Sequence, residues 1–198
     1  MAWMFHNATS FDGDVSLWNT SQVTSLYGMF DLASKFKSDV SSWSAGLVET
    51  MSWTFYAASS FNSDMTMWDT SKVKAMYSTF ASASSYNGDV SSWDTSRVTT
   101  MAWMFRYAFA FNGDLSNWNT GRVTSMYGMF ASAFIKDGIL YQNASSFDQD
   151  VSNWDTSLVT TFDKMFYYAT SFYRWICMYN AEATYVDIFT GSYGSFCA

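Results

Sequence analysis

Apolar residues recur along the chain with a period of 25 residues, so the sequence consists of tandem repeats. One Phe, one Trp and one Val per repeat show the period clearly: Phe5, Phe30, Phe55, Phe80, Phe105 and Phe130; Trp18, Trp43, Trp68, Trp93 and Trp118; Val23, Val48, Val73, Val98 and Val123. Eleven extra residues, "FIKDGILYQNA", then intervene before the register resumes at Phe147. A fixed period of this length indicates stacked coils of chain, each burying its apolar face against its neighbours.

Within one repeat, the pattern predicts a short strand followed by a short helix. Four apolar residues fall at i, i+3, i+4 and i+7, which is the spacing of one face of an α-helix: Met101, Met104, Phe105 and Ala108. The preceding "RVTT" is short and β-branched, which is typical of a strand, while "NGD" and "DTS" predict turns. We therefore expect an α/β fold, a right-handed solenoid or horseshoe of six to seven coils, each with a short strand and a short helix.

The period also predicts the domain organisation. Residues 1–166 form the repeat solenoid, with coils that start at residues 1, 26, 51, 76, 101, 126 and 162, and an insertion at about 134–144. Residues 167–198 lose the repeat and are predicted to form a C-terminal cap over the last coil. Met1 coincides with the first position of a repeat, so we expect the natural protein to extend upstream or another chain to cover the first coil.

The stretch "TFASASSYNGDVSSWDTSRVTTMAWMF", residues 79–105, resembles the repeat of BspA-like leucine-rich-repeat surface proteins. The resemblance extends to about Phe172. It implies a leucine-rich-repeat-like fold and a place on the cell surface of bacteria or microbial eukaryotes, where some members act in adhesion. It implies no catalytic residues, and its bearing on function is an analogy between families.

The charge balance narrows the classes of partner. The net charge of −7 and the pI near 4.4 disfavour binding to nucleic acid or to anionic lipid surfaces, because both require clustered Lys and Arg. There is no apolar run long enough to span a bilayer, so membrane insertion is not expected. Charged residues make up 14% of the chain, and a surface rich in Ser, Thr and Asn suits an extracellular or cell-surface location.

Two cysteines, Cys177 and Cys197, lie near the end of the chain. They form either a disulfide that closes the C-terminal segment, which would imply an oxidising compartment, or two buried thiols. Asn7 and Asn143 begin N-x-S/T sequences, so they are candidate glycosylation sites if the protein is secreted by a eukaryote.

One aspartate per repeat forms a predicted column: Asp14, Asp39, Asp64, Asp89, Asp114 and Asp150. These carboxylates either contribute to calcium binding or cap backbone N–H groups of their own turn or of the next coil. A second row, Lys72, Arg97 and Arg122, precedes the strand valine. It is either a set of exposed charges that balance nearby acids or a binding site for an anionic glycan.

An aromatic residue alternates between two places in successive repeats, so the packing unit is a pair of coils. Trp occupies the third position in every second repeat, and a small residue occupies it in the others: Trp3, Gly28, Trp53, Ser78, Trp103 and Gly128. Each Trp either packs against the small residue of the next coil or contributes to an exposed stripe that binds sugars or a partner protein.

The insertion contains Ile135, Ile139, Leu140 and Tyr141, which are too apolar for a purely solvated loop. They either fold back on the neighbouring helices or contact a partner. His6 is the single histidine, and no ligand cluster surrounds it in the sequence, so neither a metal site nor a catalytic base is expected.

The sequence thus predicts a non-enzymatic extracellular or cell-surface module without a cofactor, which acts in adhesion by binding a protein or a glycan. The alternative is an architectural subunit of a larger multi-chain assembly or surface appendage.

Overall fold

A computed structural model describes residues 1–177 and 180–197. Four short strands are present: β1 (Ala133–Lys136), β2 (Ile139–Gln142), β3 (Trp175–Ile176) and β4 (Ser195–Phe196). Within the described ranges no residue is helical, so no segment there could cross a membrane as a helix. The predicted α/β solenoid with a helix in every coil is therefore wrong.

Two consecutive tight turns occupy the segment that was predicted to be helical. In the third coil they span residues 51–54 and 55–58, and in each turn the last N–H donates to the first carbonyl at 3.1 Å. The third residues of these turns, Trp53 and Ala57, have φ values of 62° and 52°. A positive φ at this place, together with this hydrogen bond, is the geometry of a type II turn.

Hydrogen bonds between coils explain why turns form here instead of a helix. In the third coil three alternate residues donate their N–H groups to carbonyls of the fourth coil: Trp53 to Tyr77 at 2.9 Å, Phe55 to Thr79 at 2.9 Å and Ala57 to Ala81 at 2.8 Å. In an α-helix these N–H groups would bond four residues back in the same coil and would not join coils. The helix prediction failed because the i, i+3, i+4, i+7 spacing also places side chains on one side of two successive turns.

The segment predicted as a strand makes one parallel bridge per coil. The bridges form a continuous column: Ser25 with Thr50, Thr50 with Ala75, Ala75 with Thr100, Thr100 with Ser125, Ser125 with Thr161, and Thr161 with Thr184. Along this column extended pairing is therefore limited to one residue of each coil, and the adjoining turns provide further backbone hydrogen bonds between coils.

Columns of stacked aromatic rings form the core. Phe55 stacks on Phe61 of its own coil, with ring centroids 3.9 Å apart, and on Phe80 of the next coil at 5.6 Å. Phe55 and Phe61 belong to the first two columns, and tryptophans form the third. The buried Nε1 of Trp68 donates to the Val40 carbonyl of the preceding coil at 3.0 Å. Each of the first six coils contributes one ring to each column, which explains the abundance of aromatic residues.

The stack continues into the segment that was predicted as a cap. Four amides of the seventh coil donate to carbonyls of the following segment: Phe162 to Thr184, Lys164 to Val186, Phe166 to Ile188 and Tyr168 to Thr190. Asp187 and Gly191 have φ values of 57° and 74°, which repeats the turn geometry of the coils. Beyond them, β4 pairs in parallel with β3.

Candidate functional site

The insertion forms a β-hairpin that projects from the sixth coil. β1 and β2 pair antiparallel, with Phe134 opposite Tyr141. Asp137 and Gly138 connect the strands with φ values of 52° and 75°, and an Asp-Gly pair with two positive φ values is typical of a type I′ hairpin turn. The candidate residues Ile135, Ile139, Leu140 and Tyr141 are all exposed.

A cavity of about 560 Å³ lies where the hairpin meets the stacked coils. Its coil side consists of Ser82 and Ser84 from the fourth coil, Tyr107 and Phe109 from the fifth, and Ser132 from the sixth. The hairpin side consists of Phe134 from β1 and four consecutive residues that begin in β2: Leu140, Tyr141, Gln142 and Asn143. We call this site the hairpin cleft.

Aromatic rings shape the hairpin cleft. Phe134 and Tyr141 stack with centroids 4.9 Å apart and an interplanar angle of 7°, and Tyr107 meets Phe134 edge-on at 5.9 Å. Small residues stand on both sides of Tyr107 at the equivalent places of the adjacent coils, Ser82 and Ser132. The cleft thus combines flat apolar surfaces with hydroxyl and amide groups.

The described residues that line the hairpin cleft include no charged side chain. Just outside the lining, Nη2 of Arg106 donates to the Tyr107 hydroxyl at 2.6 Å. Burial raises the pKa of the Tyr107 hydroxyl, while the nearby Arg106 charge opposes this effect. Tyr107 is therefore a neutral hydroxyl at physiological pH.

The Trp residues of the predicted stripe lie against the next coil. The ring of Trp3 packs on the backbone of Gly28, and the ring of Trp103 packs in the same way on Gly128. Trp103 is only partly buried, and the guanidinium carbon of Arg106 lies 4.2 Å from the centroid of its ring. Packing of large against small residues is therefore present at both glycine positions.

Two of the three residues of the predicted basic row line a groove in the structure, and the third lies outside it. Arg97 and Arg122 line an open groove of about 730 Å³ together with Lys74, whereas Lys72 is exposed outside it. Lys74 also pairs with Glu49 at 2.9 Å.

The aspartate column accepts backbone hydrogen bonds within its own turns. Oδ1 of Asp39, for example, accepts the Ser41 N–H at 2.8 Å, and this bond is the largest cause of the lowered pKa of Asp39. Each other member of the column likewise accepts the N–H of the residue two positions later. This is the arrangement expected if the carboxylates cap backbone N–H groups of their own turns. Among the described residues, no group of three His, Cys, Asp or Glu side chains is arranged to hold a metal.

The remaining candidates lie elsewhere. His6 Nδ1 is 2.8 Å from Oδ2 of the buried Asp31, a carboxyl whose pKa is raised by burial. Cys177 and Cys197 are joined by a disulfide. Asn7 is exposed in the first coil, while Asn143 is exposed at the hairpin cleft, so a glycan on Asn143 would stand at its mouth.

Sequence reasoning missed Tyr107 and Phe109, the two aromatic residues that form the floor of the hairpin cleft. A signal was present, because the fifth repeat reads "YAF" where the fourth reads "SAS" and the third reads "AAS". The Phe109 position holds Ser or Thr in the other repeats, so a bulky residue there, one repeat before the insertion, indicates a surface that the insertion covers.

The comparisons with known proteins identify a repeat family. The family model described as "Mycoplasma protein of unknown function, DUF285" matches residues 1–87, 62–138 and 138–191. No curated protein and no solved structure matches the chain. The matches confirm a repeat protein, but they do not confirm the narrower BspA-like leucine-rich-repeat assignment.

Proposed function

The chain belongs to the DUF285 family of repeat proteins, and from that premise we propose that it is a non-enzymatic interaction or adhesion module. We infer that it acts outside the cell or on the cell surface, and that its ligand is an uncharged glycan bound in the hairpin cleft. The observation that carries this proposal is the composition of the cleft: four aromatic side chains beside hydroxyl and amide groups, with no charge in the lining.

The chemistry of a sugar ring matches this lining. A sugar presents apolar C–H faces that stack on aromatic rings, and hydroxyl groups that exchange hydrogen bonds with Ser, Asn and Gln. Ser82, Ser84 and Ser132 provide hydroxyls on the coil side, while Gln142 and Asn143 provide amides on the hairpin side. The exposed stack of Tyr141 on Phe134 offers a flat surface at the rim.

A binding role fits this cleft better than catalysis. Hydrolysis of a glycosidic bond ordinarily requires a pair of carboxyl groups beside the bond. The described lining contains no carboxyl, imidazole or thiol group, and burial raises the pKa of its Tyr107 hydroxyl. These features support a module that holds a glycan without transforming it.

Two features support an extracellular location. Disulfides such as Cys177–Cys197 persist mainly in oxidising compartments. The low content of charged residues leaves a polar, uncharged surface, which suits an extracellular location. The net charge of −7 separately disfavours nucleic acid as the partner.

The experiment compares the affinity of the protein for four neutral hexasaccharides, cellohexaose, chitohexaose, maltohexaose and mannohexaose, by isothermal titration calorimetry. We expect at least one of them to bind, and Tyr141→Ala to weaken that binding about tenfold because one stacking surface is lost.

Tyr173→Ala is the matched control. Tyr141 and Tyr173 are both exposed, by 45% and 60%, and each stacks on another ring, Phe134 at 4.9 Å and Tyr193 at 4.6 Å. Tyr173 lies outside the cleft lining, so its replacement should leave affinity unchanged. No binding to any of the four sugars, or equal losses in both variants, would contradict the proposal.

A second candidate function is an architectural subunit of a multi-chain assembly. The observation that favours it is an apolar surface at the C-terminal end, where Trp175 is 72% exposed and Tyr193 is 67% exposed beside the β3–β4 pair. Exposed aromatic clusters of this kind mark surfaces that another chain covers. Sedimentation velocity of the protein and of Trp175→Ser/Tyr193→Ser tests it: an assembly that dissociates in the variant supports this role, and a monomer at all concentrations refutes it.

A further inference from the structure

The open groove lined by Arg97 and Arg122 is a second surface with ligand-binding chemistry, and it shares no lining residue with the hairpin cleft. Arg97 and Arg122 occupy equivalent places in adjacent coils, and Lys74 extends the cationic surface into the coil before. Ser96, Thr99, Asn119 and Gly121 complete the lining, so the groove presents hydroxyl and amide groups between its cations. We call it the basic groove.

The two arginines of the basic groove form no ion pair among the described residues. Four ion pairs occur in the described residues, and they involve His6, Lys37, Lys74 and Arg174, each with one acidic partner. Asp94 accepts the Ser96 N–H, and its pKa is lowered by the Ser96 hydrogen bonds and also by the nearby Arg97 charge. Asp155 accepts the Ser157 N–H. Both guanidinium groups are thus available to an external anion.

The basic row is confined to three successive coils. The equivalent position holds Gln22, Leu47 and Leu158 in three of the other repeats. Because neighbouring coils joined by backbone hydrogen bonds are about 4.8 Å apart, the row presents positive charges at the spacing of one coil. The groove therefore fits an elongated ligand that carries several negative groups.

We propose that the basic groove binds an acidic saccharide, a sugar chain that carries sulfate or carboxylate groups. The planar guanidinium forks of Arg97 and Arg122 match the paired oxygens of these groups, and the hydroxyls of Ser96 and Thr99 offer bonds to sugar hydroxyls. The described lining lacks the aromatic side chains on which nucleotide bases stack, which disfavours a nucleic acid as the ligand.

The test measures the affinity of the full chain for a heparin-derived hexasaccharide at 50 mM and 300 mM NaCl. Arg97→Gln/Arg122→Gln removes both guanidinium groups and inserts the residue that the first repeat already carries at this position, Gln22, so the fold is retained. Lys72→Gln is the matched control, since Lys72 belongs to the same row but lies outside the lining. A thermal melt of each variant verifies folding.

We expect the wild-type chain to bind at 50 mM NaCl and more weakly at 300 mM, because salt screens exposed charges. The double variant should lose affinity about tenfold at 50 mM, and Lys72→Gln less than about twofold. A chemically desulfated hexasaccharide separates the two groups: lost binding identifies sulfate as the recognised group, and retained binding identifies carboxylate.

Three results would overturn the proposal. These are no binding at 50 mM NaCl, equal losses in the double variant and Lys72→Gln, or equally tight binding of inorganic polyphosphate. Tyr141 lies in the hairpin cleft, so Tyr141→Ala should leave this affinity unchanged. The proposals for the basic groove and for the hairpin cleft are therefore tested independently.

Discussion

Gly128 is the position where the packing between coils can be tested most directly. It has a φ of 58°, and a Cβ at this residue would overlap Cζ3 and Cε3 of Trp103. Gly138, in the hairpin turn, provides a matched control because its φ is 75° but a Cβ there would meet no atom within 4 Å. Both Gly→Ala changes add the same methyl group to a left-handed backbone, and only Gly128→Ala adds a clash.

The structure sets the size of each effect. A side chain at positive φ costs about 1 kcal/mol, and this cost applies to both substitutions. Overlap with a packed ring adds about 1–3 kcal/mol, because Trp103 must leave its place between Gly128 and Arg106. Gly128→Ala should therefore lower the free energy of unfolding by about 3 kcal/mol and Tm by about 6–12 °C, whereas Gly138→Ala should lower Tm by at most about 4 °C.

Differential scanning calorimetry and urea denaturation of the two variants measure these differences. A third variant, Trp103→Ala, completes a double-mutant cycle with Gly128→Ala. Once the ring is absent, Gly128→Ala should cost only about 1 kcal/mol, which is the backbone term. Equal destabilisation by Gly128→Ala and Gly138→Ala, or an unchanged cost of Gly128→Ala in the Trp103→Ala background, would refute the packing argument.

Three further predictions concern the turns, the core and the C-terminal segment. The pKa of Asp39 is lowered chiefly by the Ser41 N–H. The ionised carboxylate therefore stabilises the fold fully above the unfolded pKa of about 3.9, and this contribution is lost as pH falls through the lower folded value. Asp39→Asn still accepts this bond and should flatten the decrease of Tm below about pH 4. Tyr86 is fully buried and its hydroxyl has no hydrogen-bond partner, so Tyr86→Phe should raise the free energy of unfolding by about 1 kcal/mol. The variant should also unfold less above pH 10, because burial raises the pKa of the Tyr86 hydroxyl and opposes its ionisation in the folded state. An unchanged or lower Tm would contradict this. Cys177→Ser/Cys197→Ser opens a loop with a sequence separation of 20 residues and should destabilise the C-terminal segment by about 3 kcal/mol, measured by limited proteolysis, with no further effect of a reducing agent on the variant.

The repeat could be identified from sequence because its side chains recur at fixed positions. The Phe, Trp and Val columns found by counting are buried columns in the structure, as Phe55, Trp68 and Val73 of one coil illustrate. This success has a simple cause: a stack of similar coils requires each coil to present the same apolar side chains to its neighbours.

The backbone conformation could not be read from the same pattern. Apolar residues at i, i+3, i+4 and i+7 lie on one side both of a helix and of two successive type II turns. A weak signal favoured the turns, since Gly28 and Gly128 stand at the third position and Asn7 at the seventh, and Gly and Asn accept a positive φ readily. Trp53 and Trp103 at the third position concealed it, because bulky residues rarely adopt this conformation.

The candidate site was predicted in part. The insertion was located from the break in register, and its apolar residues Ile135, Leu140 and Tyr141 were identified as a candidate surface. The Asp137–Gly138 pair is a further signal in this segment, because Asp-Gly is typical of a two-residue hairpin turn. Tyr107 and Phe109 entered the site only through the tertiary structure, since they are distant in sequence from the hairpin strand that faces them.

The sequence by itself thus determined the 25-residue period, the identity of the core columns and the place where the repeat is interrupted, because each of these depends on which side chain occurs where. The tertiary structure decided between helix and turns, since the choice depends on whether backbone N–H groups bond within a coil or to the next one. It also decided which surface residues meet, because a cleft between a hairpin and three coils exists only once the coils are stacked.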